Sequence, residues 1–545
     1  ILGRQTVFWS CGYLAFAVAC LWSARSLLST KNTVSSEPAS KGAEAASPAD
    51  RRKTQPLLWV GLPACGSVVF LAVTSKITQD VSVIPFLWIL PLSLYLCTLI
   101  IAFDSPRWYR RRIWLPAFLL SCGLLTYLLH PETELQHILT TISLYSLTLF
   151  CIIMVCHGEL ARSKPPARQL TFFYLMVSLG GALGGAFVSF VATKIFPAYW
   201  ELQVGVGTAL ILVGYTFFQR SGKKNSNKKS NKKLERWNLL GKWAWVTFSV
   251  AIIGLLLVSM VETEEGTLTT RRNFYGVLRV YEEDKGEESH CRMLYNGQIN
   301  HGLQLLHPSE KYRILSYYSA HSGLGIAFRN HPKRLRAESF EGIGQDNHLR
   351  VGVVGLGIGV IASWGDPGDT FRFYEINPEV VRIADEFFTV LKESEAETKV
   401  IVGDGRISLE RELASQGSMQ FDILAVDAFS GDAIPVHLIT REALELYFQH
   451  LRPEGILALH ISNRHINLKP VVYGLAELMD IPAILIEKVR RPEDFIKGSE
   501  WVLMTRNTEF LSVPELFHYK TPWASDIRDD IIWTDDYSSL VKVLM

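Results

Sequence analysis

The sequence is short of the residues that would place it in several common classes. Its formal net charge is only +2 over 545 residues, so bulk charge gives no reason to expect a nucleic-acid partner. Its eight cysteines form no CxxC pair and no Cys/His cluster at metal-ligand spacing. Cys11, Cys20, Cys65, Cys97, Cys122, Cys151 and Cys156 lie in apolar segments, and only Cys291 lies beyond them. A disulfide framework and a zinc site are therefore both unsupported. Charge is also sparse inside the apolar runs of the first 261 residues. Asp80, His157 and Glu159 sit near run ends and read as interfacial groups rather than a proton relay.

Apolar residues are what the chain has in quantity: hydrophobic types make up 48% and the mean hydropathy is positive. Runs near 7–28, 57–75, 81–103, 113–130, 137–156, 170–196, 202–219 and 242–261 are long enough, or nearly so, to span a bilayer. Eight such runs joined by short polar loops predict a multi-span α-helical membrane domain over 1–261. The chain opens at Ile1 inside a loop, which predicts a truncated or processed N-terminus with further helices upstream. Residues 29–56 are rich in Ser, Ala and Pro and read as a linker. Gly180 with Gly184, and Gly181 with Gly185, mark a helix face suited to close packing. Basic residues concentrate in alternate loops: five in 29–56, four in 104–112, three in 157–169 and eight in 220–236. The positive-inside rule puts those loops in the cytoplasm, and one further span, 242–261, then puts residues 262–545 outside.

From Glu262 the composition is that of a soluble domain. RRNFYGVLRVYEED and CRMLYNGQINHG read as paired strands with Asn-Gly at a turn. Residues 309–328 read as a helix carrying Tyr317, Tyr318 and His321. This gives a small β subdomain with a helix over 262–330, followed by an α/β domain over 331–545. There, β-branched-rich runs alternate with helix-length segments, which predicts a parallel sheet with crossover helices. The first run leads into Gly355-Leu356-Gly357-Ile358-Gly359. The second ends on Glu375, 20 residues after Gly355; the third ends on Asp404, before Gly405; and the fourth ends on Asp427. Ligands of such sheets sit outside the carboxyl ends of the strands. A glycine loop lets the backbone approach a nucleoside closely, and an acid about 20 residues further on is placed for ribose hydroxyls. Residues 441–455 read as an amphipathic helix closed by Pro-Glu-Gly, and 456–465 as a strand ending near Asn463 and Arg464. AILIE and WVLMT supply two more strands.

From about Arg272 to Ser462 this order of parts resembles the spermidine synthase (polyamine aminopropyltransferase) family. The whole chain looks like its membrane-fused branch, in which that domain follows transporter-like helices. The resemblance implies a Rossmann-like fold of the class I methyltransferase type. It implies Gly355, Gly357 and Gly359 against the nucleoside, Glu375 on ribose, Asp404 and Gly405 at adenine, and Asp427 as the base. Asp432, Tyr318, His321, Asn463 and Arg464 would then contact the amine or the donor tail. The implied co-substrate is decarboxylated S-adenosylmethionine or S-adenosylmethionine, with no prosthetic group and no metal. The implied partners are an amine, a sulfonium nucleoside and the lipid bilayer, with a homo-oligomer open.

The pattern departs from the family at several points. The loop's family acid, which grips the donor's amino group, is here Ile358. The acid pair after the fourth strand, Asp427 and Asp432, is five apart instead of three. Tyr275 and Tyr318 stand where the family has Gln, and Gln or His. Three readings follow. The first is a membrane-anchored aminopropyltransferase-like enzyme releasing methylthioadenosine. The second is an S-adenosylmethionine-cleaving or methyl-transferring enzyme. The third is a non-catalytic nucleoside-binding or transport module. The expected location is the inner or plasma membrane. An extracytoplasmic soluble domain conflicts with a donor made in the cytosol.

Overall fold

The computed structural model describes residues 56–80, 86–130, 133, 138–221, 232–297, 299–311, 313–337, 347–429, 434–463, 466–489 and 495–543, with isolated positions before them. The apolar run at 7–28 and most of the linker at 29–56 lie outside this set, as do the central residues of the basic loop, 222–231.

Among the described residues, seven longer helices come first: α1 (Pro56–Asp80), α2 (Phe86–Asp104), α3 (Arg111–Leu128), α4 (Ile138–Arg162), α5 (Leu170–Ala186), α6 (Glu201–Ser221) and α7 (Lys232–Glu262). Among the described residues, six helices are long and apolar enough to cross a membrane. α3, expected as a span, is not one of the six; its 18 residues include Arg111 and Arg112. It is nonetheless packed inside the bundle, with Phe118 stacked on Trp245 of α7 at 5.9 Å. α5 runs on through a π-helical stretch, Phe187–Ala192, into Thr193–Ile195.

The small-residue face of α5 is used as the spacing predicts. A Cβ on Gly180 would lie 2.3 Å from the Val60 carbonyl oxygen, and one on Gly184 2.3 Å from that of Ala64. Backbones this close gain dispersion contact where apolar burial alone gives helices little reason to associate. Gly181 and Gly185 face more open space, with nearest atoms at 3.6 and 4.0 Å. His157 and Glu159, read from sequence as interfacial, are instead buried between helices. His157 Nδ1 lies 3.1 Å from Thr98 Oγ1, and Glu159 accepts from Tyr109 and from Arg111 Nε at 2.8 and 2.6 Å. Burial is tolerable here because each polar group meets a partner.

Contacts across the bundle sort the helix ends. Arg111, Glu159 and Thr216 meet at one end. His130 and Glu262 meet at the other, where Glu201 meets Arg272 of the following domain. The basic loops at 104–112, 157–169 and 220–236 therefore join helices at the end opposite the soluble domain.

That domain opens with a four-stranded antiparallel sheet, β1 (Thr267–Asn273), β2 (Gly276–Glu283), β3 (Cys291–Asn296) and β4 (Ile299–Leu305), in sequential order. The Asn296-Gly297 pair makes the β3–β4 turn, with Gly297 at φ 61°. Residues 309–328 do not form the single helix that the sequence predicts. A 3-10 turn at Ser316–Tyr318 is followed by α8 (Gly323–Arg329), whose N-cap Ser322 accepts from the Gly325 N–H. Serines at 316, 319 and 322 favour caps and turns over helix interior, and Ser316 sits at φ 60°.

The second sheet has seven strands: β5 (Arg350–Val354), β6 (Thr370–Glu375), β7 (Glu397–Val402), β8 (Phe421–Val426), β9 (Leu451–His460), β10 (Ala483–Lys488) and β11 (Ser499–Met504). Their order is β10-β11-β9-β8-β5-β6-β7, and only β11 runs antiparallel to its neighbours. Crossovers include α9 (Pro378–Phe387), α10 (Gly405–Gln416), α11 (Arg441–His450) and α12 (Lys469–Leu478). α11 ends at His450, and the Pro-Glu-Gly expected to close it lies inside β9. Along β8, Ile423 and Ala425 enter one core and Leu424 and Val426 the other. A strand buried on both faces reads as a near-continuous apolar run, and the one acid inside β8, Asp422, is paired with Lys333. Chain direction across the sheet switches between β5 and β8, which opens a crevice at their carboxyl ends.

Candidate active site

The glycine loop follows β5 directly into that crevice. Gly355, Gly357 and Gly359 have φ of 100°, 55° and 84°, a region L side chains rarely adopt. A Cβ on Gly355 would lie 2.4 Å from the Asp427 carbonyl oxygen, and one on Gly357 2.4 Å from that of His301. The loop is thus clamped between the end of β8 and β4. It leads into a 3-10 turn, Val360–Trp364, and not into a long helix.

Each strand end then contributes an acid. Glu375 closes β6, is buried, and accepts from the Leu356 and Asn377 N–H groups at 3.0 and 2.8 Å. Burial holds its carboxyl above the usual range, with the backbone donors opposing. Asp404 is the N-cap of α10, accepting from the Ile407 N–H at 2.9 Å. Its other oxygen lies 2.9 Å from His437 Nε2, and that contact holds Asp404 below the usual carboxylate range. Gly405 is needed for fit, since a Cβ there would meet Val354 Cγ1 at 2.5 Å.

Asp427 follows β8, and both its oxygens are engaged. The Tyr318 hydroxyl donates to Oδ2 at 2.5 Å, and His460 Nδ1 lies 2.6 Å from Oδ1. His460 closes β9, the neighbouring strand. Its ring is stacked on Trp501 at 4.6 Å and on Tyr317 at 4.8 Å, with Phe429 edge-on at 5.0 Å. Burial and the Asp427 charge push the Tyr318 hydroxyl pKa far up, so it stays protonated and donates. His301 also stands within the field of Asp427, and burial pushes its imidazole down to about 4.

The structure therefore brings together Gly355, Gly357, Glu375, Tyr318 and Asp427. His321 stacks on Tyr519, whose hydroxyl lies 3.1 Å from its Nδ1. Asn463 accepts from the Ile466 N–H at 2.9 Å. Asp432 and Arg464 lie outside the described residues. Ile358 is buried and packs on Gly302, whose added Cβ would meet Ile358 Cγ1 at 2.5 Å. The sequence reading passed over His301, His437 and His460, and it named Tyr317 on the expected helix without giving it a place in the site. For His460 there was one signal: a lone imidazole ending an otherwise apolar strand at the ligand edge. Among the described residues, no group of three His, Cys, Asp or Glu side chains is placed to hold a metal ion.

With this geometry in hand, comparison with known proteins identifies the relative. No protein-family model matches the chain. Over 111 residues the chain is 34% identical to the polyamine aminopropyltransferase of Vibrio vulnificus. The chain is similar to that enzyme over this stretch. The match covers 20% of this chain and 36% of the relative's length, so the chain aligns with about a third of the protein it resembles. A probable spermidine synthase from Corynebacterium glutamicum superposes at a TM-score of 0.35 with 19% identity, covering 50% of this chain and 97% of that one. Spermidine synthase from Thermotoga maritima gives 0.30 with 10% identity, covering 50% and 81%.

Proposed function

We propose that the chain is a membrane-anchored, spermidine-synthase-like transferase. It moves an aminopropyl-type group from a sulfonium nucleoside to an amine and releases methylthioadenosine. The observation that carries this reading is the placement of Asp427. It stands at the switch point of the sheet, with its backbone carbonyl against Gly355 of the glycine loop, its carboxylate held by Tyr318 and His460, and only β5 between its strand and the one that ends on Glu375. On this reading residues 1–261 form the membrane domain, 262–330 the small β subdomain and 331–545 the catalytic domain.

The steps follow from the residues. Glu375 has one lone pair per oxygen beyond its backbone bonds and takes the ribose hydroxyls. Asp404 and Gly405 border adenine. Asp427 removes a proton from the substrate ammonium, which frees the nitrogen lone pair. That pair forms the new N–C bond as the C–S bond breaks. The C–S electrons stay on sulfur, and the sulfonium becomes a neutral thioether. Much of the acceleration comes from holding the two partners in line, because the sulfonium is already a good electrophile.

Ile358 favours a second reading. A buried aliphatic group where the family has an acid gives the donor's amino group no counter-ion. S-adenosylmethionine cleavage or methyl transfer needs no such acid. Incubating the purified full chain with each sulfonium donor, with and without diamines, followed by mass spectrometry, decides the matter. Diamine-dependent methylthioadenosine is expected. S-adenosylhomocysteine would establish methyl transfer instead, and methylthioadenosine independent of amine would establish cleavage.

A further inference from the structure

We propose that His460 is a positioning residue for Asp427, held in one tautomer by Ser462 and the Glu500 backbone; this rests on the transferase reading of the site. Four described contacts form a line. The Glu500 N–H donates to Ser462 Oγ at 2.7 Å. Ser462 Oγ lies 2.8 Å from His460 Nε2. His460 Nδ1 lies 2.6 Å from Asp427 Oδ1. The Tyr318 hydroxyl closes the line on Asp427 Oδ2 at 2.5 Å.

Protons can be assigned along this line from its fixed end. A backbone amide only donates, so Ser462 Oγ accepts from Glu500. The serine's own proton is then available to His460 Nε2. A neutral imidazole that accepts at Nε2 carries its hydrogen on Nδ1. The alternative neutral tautomer would turn an Nδ1 lone pair onto a carboxylate oxygen 2.6 Å away, two acceptors with no proton between them. Nδ1 therefore donates to Asp427. The ring cannot swing away, because Trp501 and Tyr317 hold its two faces.

The consequence falls on the base. Asp427 receives two donors on two different oxygens, which fixes the rotation of its carboxylate. One lone pair on each oxygen remains for the substrate ammonium. Among the described residues, the other titratable and charged groups around the pair are Tyr317, Tyr318, His301 and Lys497. The Glu500 carboxylate is turned to Lys469, 2.8 Å away, and leaves only its backbone in the line.

Two measurements on the full-length, solubilised protein test the inference. The first is ¹⁵N NMR of histidine-labelled protein, which needs no turnover. The signal lost in His460→Asn should show Nδ1 protonated and Nε2 bare at neutral pH, and it should move in Asp427→Asn. A neutral, Nε2-protonated His460 in the wild type would overturn the proposal. The second is the pH profile of kcat/KM. His460→Leu removes the donor and should shift the acid limb upward by about one pH unit, since a hydrogen bond to the carboxylate favours its charged form. His460→Asn keeps an N–H near the Nδ1 position and should restore the wild-type limb. An unshifted limb in His460→Leu overturns the positioning role. If the wild type shows no diamine-dependent turnover, the transferase reading fails, and the NMR result decides the tautomer by itself.

Discussion

Arg272 and Glu201 form a buried two-pronged ion pair, with Nη1–Oε2 and Nη2–Oε1 both at 2.9 Å. Arg272 lies on β1 of the soluble domain and Glu201 is the first residue of α6. Arg272 Nη1 also bonds the Ala198 carbonyl, and its guanidinium lies 4.4 Å from the Tyr199 ring centroid. Alternation along β1 sends its neighbours the other way. Arg271 pairs with Glu379 and Glu386 on α9, and Asn273 with Asn377, two residues from Glu375. One strand therefore ties the helical bundle to the carboxyl end of β6.

This docking places the soluble domain at the bundle end opposite the basic loops. If those loops face the cytoplasm, a cysteine introduced at 222–231 should be shielded from an impermeant thiol reagent in intact cells. One introduced near Glu283 should be labelled. Protection of both would mean that α7 does not cross the membrane.

Glu375→Ala should weaken methylthioadenosine binding by roughly 1.5–3 kcal/mol for each charge-assisted bond lost, read by titration calorimetry. Because burial raises the Glu375 pKa, protonation is favoured in the folded protein. The fold's preference for the neutral acid is thus fully present below the ordinary value and is lost as pH rises through the raised one. Nucleoside binding uses the charged form, so affinity should fall as pH is lowered through a window above the ordinary carboxylate range. Affinity flat down to that range would contradict the assignment.

Asp404 caps a helix and also borders the proposed adenine site, and two substitutions separate those roles. Asp404→Ala should lose about 1 kcal/mol of stability with the cap, read as a lower Tm. Asp404→Asn keeps a capping oxygen and should leave Tm nearly unchanged while weakening nucleoside affinity. An Asn variant with wild-type affinity would reduce Asp404 to a cap.

Asp427→Asn should cut diamine-dependent turnover by roughly 10²–10⁴-fold. Nucleoside affinity should barely change, because Asn keeps the size of the side chain and one of its two acceptor oxygens. Full activity in this variant would remove Asp427 as the base.

In the bundle, Gly180→Ala drives a methyl group into the Val60 backbone and should cost roughly 1–3 kcal/mol, the usual range for overpacking. Gly181→Ala has room and should be near neutral. Thermal unfolding in one detergent compares the two, and equal melting temperatures would mean that the α1–α5 contact gives way easily.

The parallel sheet was legible in the chain because its central strands, β8 above all, are buried on both faces and read as apolar runs, and the strand-end acids sit where the runs stop. Glu375, Asp404 and Asp427 could be found this way without coordinates. The Asn-Gly turn and the Gly180/Gly184 face were equally local, since backbone freedom and close approach are written in residue type. Other features depended on contacts between distant segments. Residues 309–328 have helical composition, yet serine capping and the fit of Tyr318 onto Asp427, 109 residues away, break them into two turns. His157 and Glu159 looked interfacial by position along a helix, but neighbouring helices supply their partners. His460 lies 33 residues from Asp427, and only the side-by-side pairing of β8 and β9 puts imidazole against carboxylate. A one-dimensional pattern records burial and turn chemistry, because those are properties of a residue and its near neighbours. Which polar groups meet at the ligand edge is decided by strand order, and strand order exists only in the folded sheet.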